Sequence, residues 1–293
     1  MTDPSGVPAV GLLYRAADIG MPVVDVAHAA TERGFDSIVL GEHTHVPVSR
    51  ETPFPMGGEL PDVYRRLLDP FVALAFVAAQ TGLAIGTGVA LVAQHDPIAL
   101  AKTVATLDHM SNGRFSLGVG YGWNREELVN HGREFTQRRA IVRDHISVMQ
   151  ALWRDEEAEF TGEHAHLRPS WAWPKPVQRP SVPVLLGCLL NESNLHEIVT
   201  WADGWIPGGN DAGWLAQSLH VLRDRWSAAG RDEAGPIIWV MQNVVDDVEL
   251  RAQLDSFRAL GVAQVLIDIP TRSRDEILPL LDRCRAVRSS AYS

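Results

Sequence analysis

Short apolar runs of β type alternate with helical patterns along this chain, and that alternation constrains the fold more than any single motif. Eight runs are legible, at residues 7–14, 37–40, 83–89, 115–119, 184–187, 205–207, 237–242 and 265–269. Between and after them lie helical patterns at 22–34, 70–80, 97–112, 125–153, 195–201, 214–229, 248–260 and 274–287. Pro22 suits a first helical position, and Gly113 suits a left-handed helix cap. Strands that are apolar throughout, without alternation, belong to a parallel sheet covered on both faces by helices. An open doubly wound sheet needs fewer strands and a switch point, whereas eight units in 293 residues fit closure into a (β/α)8 barrel. The reading is one domain over residues 1–293, with a Pro- and Trp-rich insertion before strand five at about residues 155–183.

Composition narrows the partners. A formal net charge of −10 argues against nonspecific binding to nucleic acid or to an anionic membrane, since both need a basic face. The two cysteines, Cys188 and Cys284, stand far apart and outside any CxxC spacing, which excludes a disulfide scaffold and a zinc ribbon and fits a reducing cytoplasm. Residues 1–6 lack the charged and apolar blocks of a signal peptide. The apolar stretch 71–93 is interrupted by Gln80, Thr81, Gly82, Gly86, Thr87 and Gly88, so it reads as helix, turn and strand rather than a membrane span.

Active sites of such barrels lie at the C-terminal ends of the strands. Those ends carry Gly41-Glu42-His43-Thr44-His45, Gly86-Thr87-Gly88-Val89, Gly118-Val119-Gly120-Tyr121-Gly122-Trp123-Asn124, Gly187-Cys188 and Pro207-Gly208-Gly209-Asn210. Glycines there let backbone approach a large, flat or phosphorylated ligand, and helices starting directly after Gly122 and Cys188 add positive N-terminal ends. In any one loop the glycines could equally serve the turn alone. Gly118-Val119-Gly120 is not a dinucleotide fingerprint, because Trp123 holds the third glycine position. His43 and His45 follow a buried strand at the functional face. A His-x-His pair can bind a metal, but strands four to six end in Tyr121, Cys188 and Gly208, and Asp268 is the one fitting acid, so no metal ligand is assigned. His164 and His166 fall in the insertion and read as a solvated turn.

At these residues the sequence resembles the luciferase-like monooxygenase superfamily over nearly its whole length. The carrying segments are Gly34-Phe35-Asp36-Ser37-Ile38-Val39-Leu40-Gly41-Glu42-His43, then Leu107-Asp108-His109-Met110-Ser111-Asn112-Gly113-Arg114-Phe115, Pro174-Lys175-Pro176-Val177-Gln178-Arg179-Pro180 and Ala202-Asp203-Gly204-Trp205. The resemblance implies reduced flavin mononucleotide (FMN) or the deazaflavin F420 at the barrel mouth, and frequent homodimers. It also implies a non-prolyl cis peptide at Gly88-Val89, supporting the cofactor ring from behind. Glu42 and His43 map near the ring and the substrate. Gly120, Tyr121, Gly122, Trp123 and Asn124, with Gly187 and Cys188, map to the cofactor's polar side and tail. Tyr121 stands where FMN monooxygenases of this type often have Arg, which favours F420.

The expected chemistry is hydride transfer between F420 and a small organic substrate, with an F420 or flavin reductase as electron source. His43 is the candidate proton donor or acceptor, assisted by Glu42 or His45; the alternative for His43 is a purely positional role. An FMN-dependent two-component monooxygenase is the second reading. A metal-dependent barrel hydrolase and a binding protein without turnover follow. The loop 46–66 and the insertion should cover the mouth, where Pro53, Phe54, Pro55, Met56, Trp171 and Trp173 would form an apolar lid, or else pack as ordinary loop or dimer contacts.

Overall fold

The computed structural model describes residues 7–291; residues 1–6, where a signal peptide was sought, lie outside them. Eight parallel strands close a barrel: β1 (Ala9–Tyr14), β2 (Ser37–Leu40), β3 (Ala84–Ala90), β4 (Phe115–Gly120), β7 (Val184–Cys188), β8 (Gly204–Pro207), β9 (Ile237–Asn243) and β10 (Gln264–Ile269). An antiparallel hairpin, β5 (Ala158–Thr161) and β6 (His166–Ser170), lies inside the insertion. The order around the barrel is β1-β10-β9-β8-β7-β4-β3-β2, so the eight strands and the insertion expected from sequence are borne out. Leu13, Val39, Leu185, Ile206, Trp239 and Leu266 fill the interior. The opposite faces of the strands pack under the helices.

Those helices are α1 (Val23–Glu32), α2 (Pro70–Gln80), α3 (Pro97–Met110), α4 (Arg125–Asn130), α5 (Arg138–Arg154), α6 (Glu192–Trp201), α7 (Ala212–Ala228), α8 (Asp247–Ala259) and α9 (Arg274–Ala291). Several start within a few residues of a strand because an Asp or Asn caps them. Asp69 and Asp96 accept from the first-turn amides of α2 and α3 and precede a proline, and Asn124, Asn191, Asp211 and Asp246 cap α4, α6, α7 and α8.

One expectation is corrected. The pattern read as a single helix over 125–153 is two helices with a break between them. Gly132 adopts φ +71° and ends α4, with its N–H bonded to Val129 O, and a tight turn at Phe135–Gln137 leads into α5. The short α4 can therefore lean over the mouth while α5 lies along the barrel wall. The insertion docks on α5, where Asp144 accepts from His164 N at 2.7 Å and Lys175 Nζ donates to Leu152 O at 2.8 Å. The solvated turn expected there is corrected: His164 lies in the turn between β5 and β6 but is half-buried, and His166 is the exposed first residue of β6.

Candidate active site

At the end of β3 the pairing with β4 slips, running from Thr87 opposite Leu117 to Ala90 opposite Val119, and the Gly88–Val89 peptide is cis. The slip directs the Val89 side chain across the neighbouring strands. A Cβ added at Gly120 would lie 2.4 Å from Val89 Cγ2, and one at Gly187 would lie 2.7 Å from Val89 Cγ1. These two glycines make room for Val89. Gly88 itself abuts Val39, Met241 and Leu13 in the barrel interior, and Gly122 turns the chain toward α4 with φ +78°.

His43 sits just past β2 with its ring almost covered. Its Nδ1 lies 2.7 Å from Glu127 Oε2, and the two side chains are 7% and 1% exposed. A carboxylate only accepts, so Nδ1 carries the proton. In the neutral ring Nε2 then carries the lone pair, which accepts a hydrogen bond from Trp123 Nε1–H at 3.3 Å. Glu127 also accepts from Thr44 N at 3.2 Å. This dyad is the arrangement in which a carboxylate fixes the tautomer and direction of a catalytic imidazole.

Sequence reasoning passed over Glu127, although a signal was present. Asn124-x-x-Glu127 has the spacing of a capping box, and Asn124 Oδ1 does accept from Glu127 N at 3.0 Å. The glutamate does not reach back to its own helix; it turns to the end of β2.

Glu42 faces away from His43. Its carboxylate accepts from Leu91 N at 2.6 Å and from His95 Nε2 at 2.7 Å, pinning the segment just beyond the β3 irregularity. Burial opposes charge on His95, but the Glu42 hydrogen bond and its Coulomb attraction prevail, so the His95 pKa is raised. His45 stands on the rim, where Asn130 Nδ2 donates to its Nε2 at 2.8 Å and its Nδ1 faces Thr44 Oγ1 at 3.0 Å. Among the described residues, no three His, Cys, Asp or Glu side chains are grouped to hold a metal ion.

The polar end of the mouth lies between β4 and β7. The Tyr121 ring lies 4.9 Å from the Arg139 guanidinium carbon, and Arg139 donates to Ser193 Oγ at 2.8 Å in the first turn of α6. A guanidinium thus comes to Tyr121 from α5, even though the sequence has no arginine at that position. Arg125 and Arg138 flank Phe135 nearby, at 4.8 and 3.8 Å from its ring. Burial, with Arg139 and Arg125 close by, lowers the Arg138 pKa. Among the described residues, Tyr121 Oη, Arg138 Nε and Asn194 Oδ1 are buried without a hydrogen-bond partner. Buried polar atoms are rarely left so; Tyr121 and Arg138 lie beside Arg139, and Asn194 follows Ser193, the hydroxyl that Arg139 donates to. Burial pushes the Cys188 thiol up to about 12, so it stays neutral.

The loop between β2 and α2 closes over His43. Tyr64 and Trp123 lie edge-on to the His43 ring at 5.7 and 5.6 Å, and Phe54 packs on both of them. Thr52 N donates to Glu126 at 2.9 Å, tying the loop to α4. Phe54 is therefore part of the cover over His43, while Trp171 and Trp173 are exposed on the insertion.

The luciferase-like monooxygenase family model matches residues 18–261. The chain belongs to that family. It is 42% identical over 280 residues to an uncharacterized protein of Mycobacterium tuberculosis, covering 94% of this chain and 97% of that one. It is 30% identical over 168 residues to an F420-dependent glucose-6-phosphate dehydrogenase of Amycolatopsis mediterranei, covering 56% of this chain and 47% of the relative. A monooxygenase from Streptomyces bottropensis shares the fold, with a TM-score of 0.78 at 18% identity over 97% of this chain and 99% of that one. Members of the family are flavin- or F420-dependent oxidoreductases and monooxygenases.

Proposed function

We propose that this chain is an F420-dependent oxidoreductase that moves a hydride between the deazaflavin and a small organic substrate, with His43 Nε2 handling the accompanying proton. The observation that carries the reading is the His43–Glu127 dyad at the mouth of a barrel of this family. The orphaned Tyr121, Arg138 and Asn194 atoms, among guanidiniums, fit the polar tail and phosphate of such a cofactor. Val89, wedged between Gly120 and Gly187, would be the residue that backs the cofactor.

A bound deazaflavin supplies a two-electron hydride acceptor or donor. In the oxidation of an alcohol a bound deazaflavin would supply the hydride acceptor, and His43 Nε2 takes the O–H proton. In the other direction His43 returns the proton to the carbonyl oxygen. Glu127 holds the ring so that Nε2 carries the lone pair, the substrate hydroxyl reaches Nε2 by displacing the Trp123 indole N–H, and the Phe54–Tyr64 cover excludes water.

Arg139 beside Tyr121 removes that position as a guide to the cofactor, since its charge suits the phosphate of FMN or of F420. The preference for F420 rests on the relative of that specificity. Calorimetric titration with each cofactor tests it. F420 should bind at submicromolar concentration and more tightly than FMN; submicromolar binding of FMN alone would make the chain an FMN monooxygenase fed by a separate flavin reductase.

We also infer a homodimer through α2 and α3. Val72, Phe76 and Met110 are 60, 61 and 69% exposed on that face, and grooves of about 510 and 540 Å³ flank α3. An exposed apolar face of paired helices suits a two-fold copy of itself. Phe76→Glu should shift the mass seen by light scattering from dimer to monomer.

A further inference from the structure

Beside His43 the mouth holds an ion pair that the chemistry above does not use. Arg15 follows β1 and Asp268 lies near the end of β10, on paired neighbouring strands. Leu13 and Leu266, two residues earlier on each strand, belong to the barrel interior, so Arg15 and Asp268 also point inward. The pair is end-on and bidentate, with both N···O distances 2.7 Å. Two ring contacts of 5.7 Å each link Arg15 through Tyr64 to His43. The Tyr64 hydroxyl lies beside the same guanidinium. Burial opposes the Arg15 charge, but Asp268 and Tyr64 more than offset it and its pKa is raised.

A purely structural role explains this poorly. β1 and β10 are already paired from Ala9 to Tyr14, so the barrel needs no staple there. The side chains are 24% and 18% exposed, open to the mouth rather than sealed in the core. Apolar residues of similar size would stabilise such a place at least as well. The geometry does suit recognition. Asp268 takes one N–H from each terminal nitrogen and leaves the rest of a rigid fork to donate. It also neutralises the charge, so an anion brought to Arg15 meets the carboxylate as well. Tyr64 faces the guanidinium, Phe54 packs on Tyr64, and Met241 packs on the interior cluster that holds Leu13 and Leu266. The chain's two lysines are committed elsewhere, Lys102 donating to Trp173 O and Lys175 to Leu152 O.

We propose that Arg15, held by Asp268 and backed by Tyr64, is the polar subsite for the substrate, and that it selects an uncharged molecule bearing a carbonyl or hydroxyl oxygen over a carboxylated or phosphorylated one. This rests on the mouth being an oxidoreductase site, so cofactor affinity is measured first and separately.

The test is calorimetric binding of two probes to the cofactor-loaded protein: methyl 4-acetylbenzoate, which is neutral, and 4-acetylbenzoate, its anionic counterpart. The neutral ester should bind at least tenfold more tightly. Asp268→Asn, which frees the Arg15 charge, should tighten the anion about tenfold and leave the cofactor Kd within twofold. Tyr64→Phe should weaken the ester about threefold at an unchanged melting temperature. Equal binding of the two probes, preference for the anion, binding of neither at millimolar concentration, or an equal effect of Asp268→Asn on both would overturn the proposal. The comparison in the unaltered protein decides even if Asp268→Asn proves unstable. Failure of F420 to bind, with the two probes still discriminated by the protein alone, would instead count against the F420 reading alone.

Discussion

Replacing Glu127 by glutamine probes the dyad most directly, because size is kept and only hydrogen-bonding capacity changes. The carboxylate accepts twice, from His43 Nδ1–H at 2.7 Å and from Thr44 N–H at 3.2 Å. A glutamine amide has one oxygen and one nitrogen, so one of those donors must face an N–H₂ group. If the nitrogen faces Thr44, two donors oppose each other. If it faces His43, the ring must move its proton to Nε2, which then confronts the Trp123 indole N–H at 3.3 Å. Every orientation leaves one nearly buried donor unpaired, which costs about 1–3 kcal/mol. The melting temperature should fall by about 2–4 °C per kcal/mol lost. The tautomer change removes the Nε2 lone pair, so turnover should drop by about a hundredfold or more, the range expected for a lost general base. Nitrogen-15 NMR of the His43 ring reads the tautomer without any substrate: Nδ1–H in the native protein, and Nε2–H or a mixture in the variant. An unchanged tautomer together with turnover within threefold of native would refute the dyad.

Other expectations can be checked on the bare protein. Gly120→Ala should destabilise by about 1–3 kcal/mol, because its Cβ would lie 2.4 Å from Val89 Cγ2. In a Val89→Ala background most of that cost should vanish, and additive effects in a denaturant double-mutant cycle would show that Val89 is not the reason for the glycine. Glu42→Gln should lower the His95 pKa toward its ordinary value, read by proton NMR titration. Because the native pair raises that pKa, its stabilisation is complete below the unfolded value of about 6.5 and fades as pH rises through the folded value. The stability gap between native and Glu42→Gln should therefore be wider at pH 6 than at pH 9, and a gap that widens with pH would contradict the pairing.

The sequence determined the barrel, its insertion and the end at which chemistry is sought. Strand and helix periodicities repeat within windows of about ten residues, so each unit declares itself without its partners. The same local reading located His43, but it could not say which group faces it. Glu42 is adjacent in sequence yet turns to Leu91 and His95, whereas Glu127, 84 residues along the chain, reaches the ring. The break at Gly132 that shapes α4 is one residue's conformation inside an otherwise helical pattern. Gly120 and Gly187 read as ligand glycines until the slip in β3 threw Val89 against both. Arg139 met Tyr121, and Asp268 met Arg15, only once the closed barrel had set which strand ends are neighbours. Side-chain partners at a barrel mouth depend on strand order, register and the direction of each loop, and these are properties of the closed ring rather than of any segment within it.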